Sequence, residues 1–186
     1  MFVHCKTEIY RDQYPYADRV NPILHQFILN NSFAEDAHVP GTKQTPFDYK
    51  PLYNLKEFQS IVKFAKSIIL DKEMWGSGMM TWDLDLITWW GMLSNKGSYQ
   101  NYHIHLPNHW SFVYYTNVPK RSSPLIFFPG NKKIHPKEGD MIIFPAYVRH
   151  KVSPNKCEGR TSLVGNFYWR TEYNITNTNA QYSRII

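Results

Sequence analysis

Cysteine is nearly absent. Cys5 and Cys157 are the only two, far apart and in no CxxC pair. That excludes a disulfide framework and a thiolate zinc site, and it fits a reducing compartment. Long apolar runs are missing too. No stretch approaches the roughly 18 residues that would span a bilayer, so no membrane association is expected. The first residues, MFVHCKTEIYRDQYPYADRV, are too polar for a secretory leader, and a cytoplasmic location is expected. There is no internal repeat and no low-complexity segment. Acidic side chains are scarce in one half only. Residues 1–79 carry nine basic and nine acidic side chains, whereas residues 80–186 carry twelve basic and six acidic. The net charge of +6 therefore sits in the second half. What is present is aromatic bulk. Aromatics make up 16% of the chain and hydrophobic residues 42%, enough to bury a core in one domain of 186 residues.

Residues 1–79 read as an N-terminal arm and packing helix within that domain, 80–172 as its core, and 173–186 as a polar tail. Residues 1–54 look irregular, with a short helix after Pro22 carrying Ile23, Phe27 and Ile28. Leu55, Phe58, Ile61, Val62, Ala65, Ile68 and Ile69 recur at helical spacing, which predicts a helix from Leu55 to Leu70 with Asn54 as its N-cap. From Met80 onward the pattern changes to short strands. They are expected at Met80–Leu93, Tyr99–His105, Trp110–Val118, Pro124–Phe128, Asp140–Phe144, His150–Ser153 and Thr161–Arg170. Turn formers such as Asn95-Lys96-Gly97 and Gly130-Asn131 separate them. Such a run of strands implies a sandwich or barrel, mainly β with flanking helices.

Three motifs carry the chemistry. His103-Ile104-His105 lies in an expected strand, where alternation turns both imidazoles to one face, about 6.5–7 Å apart at Cα. Imidazole pairs suit iron, zinc, copper and nickel. FPAYVRH then brings His150 from a distant strand, after an apolar run and a proline corner. Arg160-Thr161-Ser162 follows, and alternation puts Arg160 and Ser162 on one face. A guanidinium fork beside a hydroxyl grips a carboxylate at two points. Each motif alone fits ordinary core or surface residues; together they specify a site.

The set HxH, FPAYVRH and RTS resembles the 2-oxoglutarate/Fe(II) oxygenase superfamily. The segment YQNYHIHLPNHWSFVYYTNVP is most similar to a small oxygenase family found in phages and marine bacteria, which would make the location a host cytoplasm. YYTN and LIFFPGN are similar to prolyl-hydroxylase domains. The resemblance covers about residues 80–170. It implies a double-stranded β-helix of the jelly-roll or cupin kind, with Fe(II) held by His103, His105 and His150 and with O2 and 2-oxoglutarate as co-substrates. It assigns Arg160 and Ser162 to the distal carboxylate of 2-oxoglutarate and Tyr115 to the same molecule, with Tyr114 facing away. Asn101 and Leu125 are expected to border that pocket. Trp89, Trp90, Trp110, Phe112 and Phe144 are candidate walls. The implied reaction yields succinate and CO2 and hydroxylates an unidentified substrate.

One departure stands out. The usual superfamily pattern is HxD or HxE, and here His105 occupies the carboxylate position. Asp83 and Asp85 are the alternative carboxylate ligands, and His109 is a spare imidazole expected in a loop. Two other readings remain open at this point. One is a cupin-like three-histidine metalloenzyme that does not use 2-oxoglutarate. The other is a non-catalytic binding module whose basic face grips nucleic acid or a phosphorylated partner. Lys120, Arg121, Lys132, Lys133, Lys137, Arg149, Lys151 and Lys156 crowd residues 120–160 and suggest an anionic prime substrate; nucleic acid is an admissible but less favoured partner.

Overall fold

A computed structural model describes residues 7–35, 39–73 and 83–170. Cys5, the start of the expected strand at Met80 and the tail after residue 170 lie outside them. The element order is β1 (Tyr10–Gln13), α1 (Ala17–Asn31), β2 (Ala34–Glu35), β3 (Thr42–Gln44), α2 (Lys50–Tyr53) and α3 (Lys56–Glu73). The strands β4 (Asp83–Ser94), β5 (Gln100–His103), β6 (Trp110–Asn117), β7 (Leu125–Phe127) and β8 (Lys132–Ile134) follow. β9 (Asp140–Pro145), β10 (His150–Val152) and β11 (Arg160–Arg170) complete the order. Seven strands form one antiparallel sheet in the order β1-β9-β6-β11-β4-β3-β2, and four form another in the order β5-β10-β7-β8. The two sheets make the double-stranded β-helix that the motifs imply.

Alternation along the large sheet separates a dry face from a site face. On β11, Leu163 and Phe167 join the core shared with the helices, and Thr161 hydrogen-bonds to His25 of α1. Arg160, Ser162 and Val164 turn the other way and line a cavity between the sheets. β6 does the same. Phe112 and Tyr114 pack toward the helices, and the Tyr114 hydroxyl donates to Asn21 Oδ1 at 2.6 Å. Val113 and Tyr115 face the cavity. On the dry side Leu24 and Ile28 of α1 and Phe58, Ile61, Ala65 and Ile69 of α3 are completely buried. Each of these leucine, isoleucine and phenylalanine side chains contributes about 1.5–3 kcal/mol.

The described residues before 55 carry more regular structure than their polarity suggests. β1 pairs with β9 and β3 with β4, so this segment supplies strands at both ends of the large sheet. Asp140 anchors one end: it is buried, ion-paired to Arg11 at 2.7 Å, and accepts from the Lys137 amide. The helix expected after Pro22 starts at Ala17 and contains Pro22. Tyr14 and Tyr16 carbonyls accept its first amides, and Asn21 ties that turn to Tyr114, so tertiary contacts carry the helix past the proline. Asn54 is the C-cap of α2, its amide bonded back to Lys50, rather than an N-cap of α3. β8 was hidden by its sequence, Lys132-Lys133-Ile134, which lacks an apolar alternation at an exposed edge.

Two glycines permit close packing on the dry face. A Cβ at Gly165 would meet Phe112 Cε1 at 2.4 Å and Leu86 Cδ1 at 2.9 Å. At Gly91 it would meet Ile28 Cγ1 of α1 at 2.8 Å. Gly165→Ala is therefore expected to destabilise the fold by about 1–3 kcal/mol through overpacking. Denaturant unfolding measures this, and an unchanged midpoint would show that Phe112 yields without strain.

Candidate metal centre

β10 lies between β5 and β7, and His150 is the Cα partner of His103 on one side and Phe127 on the other. Direct cross-strand pairing brings the two imidazoles together, with ring centroids 4.2 Å apart. β5 ends at His103, so His105 lies just beyond the strand and not inside it. Its amide donates to Ala146 O at 2.8 Å, which holds the following turn against the FPAY corner. His105 Nε2 is 3.3 Å from His150 Nε2. Two nitrogens bound to one ion at about 2.1 Å and at right angles would be about 3 Å apart. Ligand atoms of all three histidines lie within 4.8 Å of one another.

Ring orientation is set by the main chain. His103 Nδ1 is 2.8 Å from Asn101 O, and His150 Nδ1 is 2.8 Å from Val148 O. A carbonyl only accepts, so Nδ1 carries the proton in both rings and the Nε2 lone pair is left for a metal. Burial keeps the imidazoles neutral. It lowers His150 to about 3 and His105 to about 4, with His103 adding to both shifts, and it lowers His103 itself. Neutral imidazole is the metal-binding form.

Arg160 enters the same cavity from β11 and is 5% exposed. Its Nη1 donates to Ser123 O at 3.1 Å and its Nη2 to Ser94 Oγ at 3.2 Å, both neutral acceptors. Its Nε has no partner among the described residues. Burial lowers its pKa, while Tyr115 and Cys157 act in the opposite sense. A buried cation without a carboxylate is costly unless an anion completes it. Ser162 and Leu125 line this cavity, as does Tyr115, whose hydroxyl burial pushes up in pKa despite Arg160. β11 and β6 register Ser162 opposite Tyr115, so the two expected anion-binding hydroxyls come from neighbouring strands.

Other candidates fall elsewhere. Asn101 is exposed; its carbonyl holds His103 and it borders an outer cleft, apart from Arg160 and Ser162. Asp85 is ion-paired with Arg170 and Asp83 with Lys66, so neither joins the histidines. His109 packs at a tilt against the Tyr168 ring and accepts from the Trp169 amide. Among the aromatics, Trp90 lines the cavity and Phe144 lies 4.5 Å from the His150 ring. Trp89, Trp110 and Phe112 pack on the helix side. Of the eight basic residues between 120 and 160 other than Arg160, none lines the cavity or the outer cleft. Sequence reasoning missed Ser94 and Asn155. Ser94 continues the alternation of Trp90 and Met92 one step past the expected strand end. Asn155 is buried and bonds to Ser94 O, the Cys157 carbonyl and the Ser123 amide, bracing the loops around Arg160.

No family model and no curated protein matches the chain. Solved structures do. A prolyl-4-hydroxylase from Pseudomonas putida is similar with a TM-score of 0.63 at 18% identity, over 88% of this chain and 94% of that one. A viral collagen prolyl hydroxylase from Paramecium bursaria Chlorella virus-1, in complex with 2-oxoglutarate, gives 0.65 at 14%, over 86% and 94%. HygX from Streptomyces hygroscopicus, with nickel and 2-oxoglutarate bound, gives 0.60 at 10%, over 87% and 83%. The fold is thus the one shared by 2-oxoglutarate/Fe(II) oxygenases. No helix among the described residues is long and apolar enough to cross a membrane.

His150→Ala is expected to weaken Co(II) binding at least about 100-fold, more than loss of an outer hydrogen-bond partner would. Competition against a chromophoric chelator reads this directly, and equal affinity in both proteins would remove the cluster as a metal site.

Proposed function

We propose that the chain is an Fe(II)- and 2-oxoglutarate-dependent oxygenase. It would convert 2-oxoglutarate and O2 to succinate and CO2 while hydroxylating a second substrate. The observation that carries this reading is the buried Arg160 guanidinium, supported only by neutral acceptors, in the same cavity as three inward imidazoles. A metal site alone has no use for such a cation. A dicarboxylate that reaches the metal at one end and Arg160 at the other uses both.

The donor set fits a first-row divalent metal. His103, His105 and His150 would hold Fe(II) through their free imidazole nitrogens, and bound iron would supply O2 activation. The chain's own residues bind and orient. Arg160 donates to the distal carboxylate of 2-oxoglutarate, Ser162 and Tyr115 add hydroxyl hydrogen bonds, and Leu125 closes the apolar side. Trp90, Val113 and Val164 keep water from the reacting centre. Three neutral imidazoles leave the ion's full double charge. A set with one carboxylate would cancel part of it. The anionic co-substrate therefore supplies the missing negative charge. The wide cleft outside the histidines, bordered by Phe47, Gln100, Asn101 and Asn108, is where the second substrate would approach.

Arg160→Gln is expected to raise the 2-oxoglutarate requirement for succinate release by tenfold to over a hundredfold. A charged hydrogen bond to a carboxylate contributes about 1.5–3 kcal/mol. The substitution removes an uncompensated buried charge, so the variant should unfold no earlier than wild type without ligand. Added to the Co(II)-loaded protein, 2-oxoglutarate should raise the melting temperature of wild type further, and the same concentration should raise that of the variant much less. A wild-type protein that binds metal but neither binds nor consumes 2-oxoglutarate would instead support the three-histidine metalloenzyme.

A further inference from the structure

The outer face of the small sheet has a composition that the metal centre does not use. His103 and His150 point inward, so alternation turns Tyr102 and Lys151 outward. Arg149 and Phe128 join them. The Arg149 guanidinium lies 5.1 Å from the Tyr102 ring centre and 5.8 Å from that of Phe128, and Lys151 Nζ lies 4.5 Å from Tyr102. The two rings meet edge to face at 5.9 Å, and Phe128 is 45% exposed. The Tyr102 hydroxyl donates to Asn131 Oδ1 at 2.8 Å, which fixes the ring. Lys151 pairs with Ile126, which pairs with Lys133, so the two lysines lie on one face two strands apart, about 10 Å. Lys133 is exposed, whereas Lys132 pairs with Phe127 and belongs to the opposite face.

Arg149, Lys151 and Lys133 enter no ion pair among the described residues. Among the described acids of this half, Asp140 pairs with Arg11, Glu158 accepts from the Lys96 amide, Asp85 holds Arg170 and Asp83 holds Lys66.

We propose that this face docks single-stranded nucleic acid. Phosphates meet the three cations Arg149, Lys151 and Lys133, and unpaired bases stack on Phe128, Tyr102 and the Arg149 plane. Charge alone would accept any polyanion. The fixed aromatic rings among the cations select one with exposed π faces, which a duplex hides. Tyr102 also borders the outer cleft, so the bound strand passes its mouth. Docking needs neither metal nor turnover and stands independently of the oxygenase reading.

The test is fluorescence anisotropy of the full chain with labelled oligothymidylate, beside a duplex, heparin, and vesicles of phosphatidylcholine with phosphatidylserine. Oligothymidylate should bind more tightly than duplex, and its affinity should fall steeply with salt. Combining Arg149→Glu with Lys151→Glu should weaken binding at least about tenfold. Tyr102→Leu should weaken oligothymidylate at least about fivefold and leave heparin unchanged. Lys56→Glu with Lys63→Glu, on exposed positions of α3, should change nothing. Thermal unfolding checks each variant, and the Arg149→Gln, Lys151→Gln pair replaces the charge reversal if that variant fails to fold. Absence of binding at low salt overturns the proposal. So does a Tyr102→Leu variant that binds as wild type, which leaves only polyanion attraction. Vesicle binding as strong as oligothymidylate binding overturns it in favour of a membrane surface.

Discussion

The pairing register of β11 is the constraint on which the rest of the molecule depends. It pairs with β4 along its full length and with β6 from Thr161 to Phe167. Its odd and even positions serve two solvents: a hydrophobic interior under the helices and a polar cavity between the sheets. A slip of one residue would place Leu163 and Phe167 in that cavity and drive the Arg160 guanidinium under α1. The hydrophobic penalty of that exchange holds the register, and the register places the arginine. Stability of the dry side and chemistry of the wet side are thus one choice made once along the strand.

The same logic explains why the centre of the molecule was legible in the sequence. Arg160 and Ser162, and Tyr115 against Tyr114, are period-two statements, and a pleated strand preserves period two wherever it sits in space; His105 lies past the end of β5, and its bond to Ala146 O holds it beside His103. His150 was legible because an apolar run and a proline corner announce a buried strand end. What stayed hidden depends on partners remote in sequence. β1, at one edge, and β3, next to the other, are short polar strands whose existence rests on β9 and β4. β8 is two lysines and an isoleucine. Pro22 inside α1 is tolerated because Asn21 and the tyrosine carbonyls hold the turn from outside. Asn54, a good start signal, was used as a stop by a helix only one turn long. Ser94 and Asn155 matter because they surround Arg160, and nothing local marks them.

The cavity's electrostatics run in one direction. Its imidazoles are neutral, its arginine is cationic, and every acceptor offered to that arginine is an uncharged oxygen. Asp83 and Asp85, the alternative carboxylate ligands, are spent on surface pairs with Lys66 and Arg170. The fold therefore places one buried positive charge, Arg160, in the same cavity as three neutral imidazoles. Under the proposed function, an elongated dianion would answer Arg160 at one end and the bound metal ion at the other.

The hydrogen bonds that orient His103 and His150 come from carbonyls two residues upstream of each ring, at Asn101 and Val148. The tautomer is therefore written into the local backbone and owes nothing to a neighbouring side chain. Substitutions around the centre can reshape the cleft without altering which nitrogen faces inward. A centre wired in this way is portable: selection can redesign its surroundings for a new substrate while the coordinating geometry passes intact from one variant to the next.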